Sequence, residues 1–534
     1  MKRITVNVRS FEDLRTRGDY IYVDKTKYVY SLVENELNNY YFISRPRRYG
    51  KSLMCSTLHA LFEGKRELFK GLYIDSTNYS FEKYPILHFN FADMNAESYE
   101  DFLYAFQERL INQAENYGIT LERKKPSEML YEFLLKASKK TVIIVDEYDT
   151  PIIHTYKDLE KADRIRDTLS TFYSVIKNRD DKVRFFFITG ITKFSNMSIF
   201  SQMNNLTDLT FDKDYASAFG YTEEELESNF AEYIDEYMKR GDREYETREE
   251  FFSAIRDYYD GYRFSYRSEN RVYNPVSVGK FFNSGCYFEP YWENTGANTL
   301  AVELAADYHL ERIISENPIL PLSAVNTFDY SLLREKKLKD LQVLSLLLFT
   351  GYLTIKDGDY DALTLTFPNT EIRKSFTQNL VERFTGIEAS LYAVEGIRAV
   401  KRGDMERLEK TFNAFLKEFP YTILEKKERS YQEAFFSFFL MLGGSRIDAE
   451  EASLRGRSDI VISTNRDVYV IEMKVDESAV KAVEQIKEKG YYHRYINTRK
   501  TIHIIGLNFS SETRQITEKK EEIIDKSKEP TYLG

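Results

Sequence analysis

Gly50, Lys51 and Ser52 lie between a short apolar run and a helical pattern, an arrangement that could bind a polyphosphate. The run Tyr41–Ile43 predicts a buried strand, and the helical pattern begins at Leu53. In a strand–turn–helix of this kind, backbone N–H groups and the helix N-terminus bind the phosphates. The lysine then reaches the β and γ phosphates, and the serine hydroxyl holds Mg²⁺.

The turn before Gly50 is basic where the usual phosphate-binding motif is rich in glycine. Arg45 occupies the position of the first glycine, and Arg47 and Arg48 follow it. We expect all three arginines to belong to an ATP site together with Gly50, Lys51 and Ser52. The turn matches only half of the strict motif, so the prediction of a nucleotide site also depends on the residues at the ends of the neighbouring strands.

Two acids follow another apolar run. Val142–Val145 is apolar throughout, as in a central parallel strand that is buried on both faces, and Asp146 and Glu147 come next. We expect Asp146 to hold Mg²⁺ and Glu147 to orient or deprotonate the attacking water. Thr189, or Thr192 shortly after it, would sense the γ phosphate. The plainer alternative is that these acids only end a strand at the surface.

Apolar runs alternate with helical segments through the first part of the chain, which predicts a doubly wound parallel sheet. Ligands on such sheets lie beyond the carboxyl ends of the strands, where Lys51, Asp146 and Thr189 are expected. The predicted strands are Tyr41–Ile43, Ile86–Phe91, Val142–Val145, Val183–Gly190 and the weaker Leu206–Phe211.

Asp459, Glu472 and Lys474 suggest a second centre, for metal-assisted hydrolysis. Alternation places Glu472 and Lys474 on the same side of one strand. The polar turn STNRD predicts a hairpin, across which Asp459 can meet Glu472. The two carboxylates would bind Mg²⁺ or Mn²⁺, and Lys474 would orient water and stabilise charge on the phosphate. Gln485, on the following helix, would position the site.

Other residues could complete this second centre. Glu433 on the preceding helix could make an outer metal contact, although the nearby Glu428 could serve instead. Several basic side chains could contact phosphates and form a local basic groove: Arg455, Arg457, Lys487, His493 and Arg494. The plainer alternative is an ordinary surface hairpin with a charged strand.

These motifs resemble those of two known families. The segments YVDKT, RPRRYGKSLMCSTL, IIVDEYDTPI and FITGITKFS resemble the bacterial AAA-ATPase-like family, which is similar to archaeal and STAND-type P-loop ATPases. Arginine at position 45 is the pattern of that family. The segments LRGRSD, EMKVDESA and EQIKEKGYYHRY resemble the PD-(D/E)XK nuclease domain that is often joined to it. The resemblance implies Walker A and Walker B motifs for ATP and a nuclease site at Asp459, Glu472 and Lys474.

The segments between the two predicted sites contain fewer candidate functional residues. Thr222–Glu225 is a capping box that opens a helix. Arg263 would either approach the γ phosphate as an arginine finger or lie in an exposed loop, and the exposed loop is favoured. A helix–hairpin–helix pattern over 338–373 suits a winged-helix module that contacts DNA or joins domains, and the joining role is favoured.

We therefore expect an α/β chain of several parts. They are a P-loop ATPase domain (1–215), a helical subdomain (216–325), a winged-helix-like module (326–380), connecting helices (381–424) and a restriction-endonuclease-like α/β domain of the PD-(D/E)XK type (425–534).

The composition favours a cytoplasmic globular protein. The 534 residues are 42% hydrophobic and 30% charged, and the net charge of −10 argues against a non-specific nucleic-acid coat protein. Two cysteines cannot form a disulfide framework. No signal peptide or membrane-length apolar run is present, so no membrane partner is expected. Homo-oligomers are compatible with the sequence.

Together these observations predict an ATP-binding and ATP-hydrolysing protein coupled to a metal-dependent nuclease that cleaves nucleic acid, with DNA as the expected substrate. The alternative is a nucleotide-controlled switch whose C-terminal fold binds nucleic acid or protein without cutting. An ATP-driven chaperone-like ring ranks last, because the sequence offers no sure arginine finger.

Overall fold

The computed structural model of the chain divides into two compact units. One comprises residues 1–295 and 317–369, and the other comprises 296–316 and 370–534. Within these units the structure describes residues 1–6, 8–35, 39–94, 97–155, 158–193, 203, 205–292, 301, 317–325, 339–385, 389–418, 438, 459–463 and 466–528.

The first unit is built on a five-stranded sheet in the order β2–β3–β4–β1–β5, and every described pairing in it is parallel. This confirms the predicted parallel sheet. The last strand is shorter than its pattern predicted. The strands are β1 (Tyr40–Ser44), β2 (Ile86–Asn90), β3 (Thr141–Asp146), β4 (Val183–Gly190) and β5 (Thr207–Asp208).

The central strands β1, β3 and β4 are buried along their whole length, as the uninterrupted apolar runs require. Helices that follow and precede the strands cover the sheet and lead into a helical region. They are α1 (Phe11–Arg17), α2 (Thr26–Val33), α3 (Lys51–Phe62), α4 (Tyr99–Glu115), α5 (Pro126–Lys136), α6 (Thr150–Ile153), α7 (Leu159–Asn178), α8 (Glu223–Asn229), α9 (Ala231–Lys239), α10 (Arg248–Tyr259) and α11 (Pro275–Asn283).

The predicted capping box is present at the start of α8. The Glu225 backbone N–H donates to the Thr222 hydroxyl at 3.3 Å, and the Thr222 N–H donates to the Glu225 carboxylate at 2.9 Å. The same carboxylate accepts from the Lys25 ammonium at 2.6 Å. This ion pair ties the start of the helical region to the segment before α2.

A small antiparallel module completes the first unit. Helix α12 (Asp340–Thr350) precedes the hairpin of β7 (Thr354–Gly358) and β8 (Ala362–Thr366), and β6 (Ile319–Pro321) pairs with β8. Helix α12 is buried at every position from Val343 to Thr350, so no face of that stretch is open to a DNA groove. The winged-helix assignment of this module and its joining role stay predictions.

The second unit contains a mixed sheet in the order β12–β11–β10–β9. Strands β10 and β11 are parallel and are connected through a helix, whereas β9–β10 and β11–β12 are antiparallel. The elements are α13 (Thr370–Thr385), α14 (Ala389–Arg402), α15 (Met405–Glu418), β9 (Asp459–Ser463), β10 (Asp467–Val475), α16 (Ala479–Lys489), β11 (Thr501–Ser510) and β12 (Gln515–Ile523).

Alternation along β10 sends its side chains into two separate cores. Val468 and Val470 pack with Ile486 of α16 on one face. Ile471 and Met473 pack with helices α14 and α15 on the other. Glu472 and Lys474 share the face of Val468 and Val470, so the helix α16 side of the sheet carries the charged pair.

Among the described residues, no helix combines the length and the apolar character needed to cross a bilayer.

Candidate functional site

A cavity of about 750 Å³ opens beside the carboxyl ends of β1 and β3. The turn from Arg47 to Met54 forms one wall, with Glu147 and Thr150 next to it. Residues of the N-terminal segment and of Phe219–Tyr221 form the remaining walls. The volume suits a nucleotide-sized ligand.

The turn has the backbone conformation that a phosphate loop needs. Gly50 caps α3 with φ of 98°, in the left-handed region that favours glycine. Arg48 also has a positive φ, of 71°. Helix α3 begins directly afterwards, and its first hydrogen bond runs from the Met54 N–H to the Gly50 carbonyl at 2.9 Å. The N-terminus of α3 therefore faces the cavity, where it favours an anion.

Lys51 lines the cavity but its ammonium is held by the loop itself. Its Nζ donates to the carbonyls of Arg45 at 2.9 Å and Pro46 at 3.0 Å, and the residue is only 4% exposed. Burial lowers the pKa of this amine, while Glu147 and Asp146 act in the opposite direction. A polyphosphate could replace the two carbonyls as a stronger, charged acceptor.

Asp146 and Ser52 meet at the mouth of the loop. Burial raises the pKa of the Asp146 carboxyl to about 6, and the neighbouring Ser52 hydroxyl acts in the opposite direction. Oδ1 of Asp146 is buried and has no hydrogen-bond partner among the described residues. A hydroxyl beside a carboxylate with an unused oxygen fits Mg²⁺, which prefers hard oxygen ligands.

Asp146→Asn should stabilise the nucleotide-free protein at pH 8 by about 1–3 kcal/mol. A carboxyl whose pKa is higher in the folded than in the unfolded chain opposes folding while it is charged, which here means above about pH 6. This cost fades as the pH falls through 6 toward the ordinary carboxyl range. Denaturant unfolding at pH 8 and pH 5 measures both effects, and a variant less stable than the wild type at pH 8 would contradict the argument.

Glu147 lies next to Asp146 on the cavity wall. Its backbone φ of 53° is unusual for a residue other than glycine. The Thr150 hydroxyl donates to its carboxylate at 3.2 Å. This hydrogen bond therefore restrains the Glu147 side chain at the cavity wall.

Arg45 does not face the cavity. Its guanidinium is 1% exposed and donates to the carbonyls of Ser44, Thr210 and Tyr215 at 2.8, 2.7 and 3.1 Å. It also lies 4.4 Å from the centroid of the Phe264 ring. The arginine that replaces the usual glycine thus binds the end of β1 to the segment after β5, and the expectation that it contacts ATP is not met by this geometry.

The two threonines at the end of β4 are also engaged within the protein. The Thr189 hydroxyl donates to the Ile43 carbonyl at 2.8 Å, and the Thr192 hydroxyl donates to the Asp149 carboxylate at 2.8 Å. Neither is among the described residues that line the cavity. The structure does not bring either hydroxyl to the expected γ-phosphate position.

The environment of Arg263 contradicts both interpretations of this residue from the sequence. It is 4% exposed and donates to the carbonyls of Ser268 and Lys356 at 2.6 and 2.8 Å, and to Glu269 at 2.7 Å. It is neither an exposed loop arginine nor an arginine finger. Its role is to hold its own loop against β7.

Arginines from two segments line the cavity. Arg47 and Arg48 do so as predicted, and Arg9 of the N-terminal segment joins them. None of the three has an ion-pair partner among the described residues. Burial lowers the pKa of Arg48, and the positive charges of Arg9 and Arg47 lower it further. The unpaired charges favour an anionic ligand. Sequence analysis missed Arg9, because no motif surrounds it.

The charged pair of the second unit converges as predicted. The Lys474 ammonium donates to the Gln485 side-chain carbonyl at 2.5 Å and lies 3.6 Å from the Glu472 carboxylate. Glu472 is completely buried, whereas Lys474 keeps 19% of its side chain exposed. Asp459 pairs with Glu472 in the hairpin register, so its backbone occupies the predicted position.

Helix α16 carries Gln485 and packs tightly on the sheet at this point. Gly506 is the neighbour of Glu472 on β11, and a Cβ there would lie 2.1 Å from the Ala479 carbonyl. Only glycine permits this approach. The close packing places Gln485 beside Lys474, which explains how one helix residue can orient the lysine.

Several predicted members lie outside what the structure describes. Among the described residues, no group of three His, Cys, Asp or Glu side chains is arranged to hold a metal. Lys487 is paired with Glu522, so this lysine does not contribute a free cation to a basic groove. His493 is described and packs against Tyr492. Those outside the described part are Glu428, Glu433, Arg455, Arg457 and the side chains of Asp459 and Arg494.

Comparisons with known proteins agree with the two predicted domain types. The family model described as "Predicted AAA-ATPase" matches residues 5–200, and the model described as "PD-(D/E)XK nuclease superfamily" matches residues 426–519. A protein of Azotobacter chroococcum mcd 1, described as "Uncharacterized protein in vnfD 5'region", is 31% identical over 96% of this chain and 98% of its own length. No solved structure gives a significant match. The chain therefore belongs to the AAA-ATPase-like family and carries a C-terminal domain of the PD-(D/E)XK nuclease superfamily.

Proposed function

We propose that this protein binds and hydrolyses ATP in its first unit, and that the nucleotide controls metal-dependent cleavage of DNA by its second unit. The proposal is supported by the convergence of each motif set. Lys51, Ser52 and Glu147 line one cavity, with the buried Asp146 next to Ser52, and Glu472, Lys474 and Gln485 meet on one side of a sheet.

At the first site the residues divide the work of phosphoryl transfer. Lys51 leaves its two loop carbonyls and binds the β and γ phosphates, while the N-terminus of α3 and the cavity arginines bind the remaining negative charge. Ser52 and Asp146 would hold Mg²⁺, which neutralises charge on the phosphates when bound. Glu147 orients the attacking water and accepts its proton.

At the second site Asp459 and Glu472 would hold Mg²⁺ or Mn²⁺, whose chemistry is to lower the pKa of a bound water and polarise the phosphate. Lys474 donates to a phosphate oxygen and stabilises the negative charge that grows there. Gln485 keeps the ammonium in place through its hydrogen bond. The buried position of Glu472 lowers the competition from bulk water for its oxygens.

The test uses the purified full chain with plasmid DNA, single-stranded DNA and RNA, each with and without Mg²⁺ and ATP. We expect Mg²⁺-dependent cleavage of DNA at a rate that changes on addition of ATP, and loss of cleavage in Asp459→Asn. Normal ATP hydrolysis without cleavage of any of the three substrates would contradict the nuclease half. It would favour the switch in which the second unit binds without cutting.

A further inference from the structure

Asp149 is a completely buried carboxylate that the phosphoryl-transfer chemistry does not directly use. Its Oδ2 accepts three hydrogen bonds from the residues that follow β4. They come from the Ile191 N–H at 2.9 Å, the Thr192 N–H at 2.7 Å and the Thr192 hydroxyl at 2.8 Å. Three donors on one oxygen make this the main connection between the turn after β3 and the end of β4.

Tyr148 strengthens the same connection. Its N–H donates to the Thr189 carbonyl at 3.1 Å, and its hydroxyl donates to the Thr192 carbonyl at 2.8 Å. Gly190 lets the two segments come this close. A Cβ at Gly190 would lie 2.6 Å from Asp149 Oδ1 and 2.6 Å from the Tyr148 ring. Both contacts are closer than a side chain allows, so the junction requires glycine.

The residue held by this junction is Glu147. It lies between Asp146 at the end of β3 and the anchored pair Tyr148 and Asp149, and its φ is 53°. A left-handed conformation at a residue other than glycine persists only where surrounding contacts enforce it. The contacts of Tyr148 and Asp149 supply that enforcement, and the Thr150 hydroxyl adds a bond to the Glu147 carboxylate.

We propose that Asp149 is a positioning residue for ATP hydrolysis, which holds Glu147 toward the γ-phosphate position by binding the end of β4. The inference rests on the proposed ATPase function. It assigns to Thr192 a different role from γ-phosphate sensing, namely donation to Asp149. It also explains why the two residues after Glu147 are buried although the turn borders an open cavity.

The test is steady-state ATP hydrolysis by Asp149→Asn in the full chain. An amide in place of the carboxylate loses the charge that strengthens all three hydrogen bonds. A displaced base affects the chemical step, so we expect kcat to fall by about 10²-fold. KM and the affinity for a non-hydrolysable ATP analogue should change by less than about threefold. The hydrogen bonds of the Asp149 side chain go to Ile191 and Thr192, and only its charge acts on Lys51 of the phosphate loop.

A second pair of variants separates positioning from folding. Thr192→Val removes one donor to Asp149 and should lower kcat by about fivefold, whereas Thr192→Ser keeps the hydroxyl and should restore it. Asp260→Asn is the matched control, since Asp260 is another buried carboxyl whose pKa is raised by burial, to about 6, and it does not line the cavity. Its kcat should stay within about twofold of the wild type.

The outcomes distinguish the inference from the function on which it rests. If the wild type hydrolyses ATP and Asp149→Asn retains its kcat, the positioning role is wrong and the ATPase stands. Equal losses of kcat in Asp149→Asn and Asp260→Asn, or no rescue by Thr192→Ser, would also overturn the positioning role. A wild type that binds but does not hydrolyse ATP would overturn both.

Discussion

Lys474→Ala should lower the rate of Mg²⁺-dependent DNA cleavage by about 10²–10³-fold, while ATP hydrolysis by the first unit stays unchanged. The ammonium lies 3.6 Å from the Glu472 carboxylate, and it is placed by a hydrogen bond to Gln485. A donor aimed at the charge that grows on a phosphate acts mainly on the transition state, so the loss should appear in kcat.

The measurement is the initial rate of plasmid nicking at saturating Mg²⁺, followed alongside ATP turnover. Lys481→Ala is the matched control, because this lysine lies on α16 near the site, is 63% exposed and pairs only locally with Glu477 at 3.1 Å. The control should cleave like the wild type. Cleavage that survives in Lys474→Ala at the wild-type rate would show that the nuclease reaction uses another centre.

A second variant distinguishes the role of Lys474 from that of Glu472. Glu472→Gln preserves the shape of a completely buried side chain but removes a charge that would hold the metal. The variant should therefore need a higher Mg²⁺ concentration for half-maximal cleavage, which Lys474→Ala should not. Identical Mg²⁺ dependence in the two variants would contradict the separate roles.

Lys51→Ala should weaken ATP binding by about 10²–10³-fold and remove measurable ATP hydrolysis. The ammonium is almost fully buried in the turn that precedes α3, so no other amine can take its place from solvent. In the nucleotide-free chain it satisfies the carbonyls of Arg45 and Pro46 at 2.9 and 3.0 Å. The substitution leaves these carbonyls without that donor, and we also expect a modest loss of stability.

Binding of a fluorescent ATP analogue and thermal unfolding should be measured on the same preparation, so that affinity is compared only between folded proteins. Lys65→Ala is the control, because Lys65 follows α3 and pairs with Glu12 and Glu63 at 2.8 and 2.9 Å, outside the cavity. If a folded Lys51→Ala variant bound ATP with wild-type affinity, the result would show that the nucleotide does not bind at this loop.

The residues whose placement sequence analysis predicted are those whose position follows from neighbours in the chain. Gly50, Lys51 and Ser52 follow a strand and open a helix, so their backbone geometry is local. Glu472 and Lys474 share a face because side chains alternate along a strand. Even the pairing of Asp459 with Glu472 follows from a short hairpin turn.

For Arg45 and Arg263 the sequence predicts other roles than the structure shows, because their hydrogen-bond partners are remote in the sequence. Arg45 donates to Thr210, which is 165 residues away in sequence, and Arg263 donates to Lys356, which is 93 residues away. A basic residue beside a phosphate motif looks like a phosphate ligand until its donors are found to be occupied. Burial of the guanidinium beneath aromatic rings makes Arg45 a structural residue instead.

The sequence by itself determined the parallel sheet, the phosphate loop, the acid pair after β3 and the ExK strand, because each depends on periodicity or on spacing within one element. Only the tertiary structure decided that Arg9 joins the cavity, that Arg45 leaves it, and that Asp149 anchors the turn bearing Glu147 to the end of β4. These roles depend on which distant segments of the chain come into contact. Hydrogen bonds between such segments produce no periodic pattern in the sequence, so sequence analysis does not predict them.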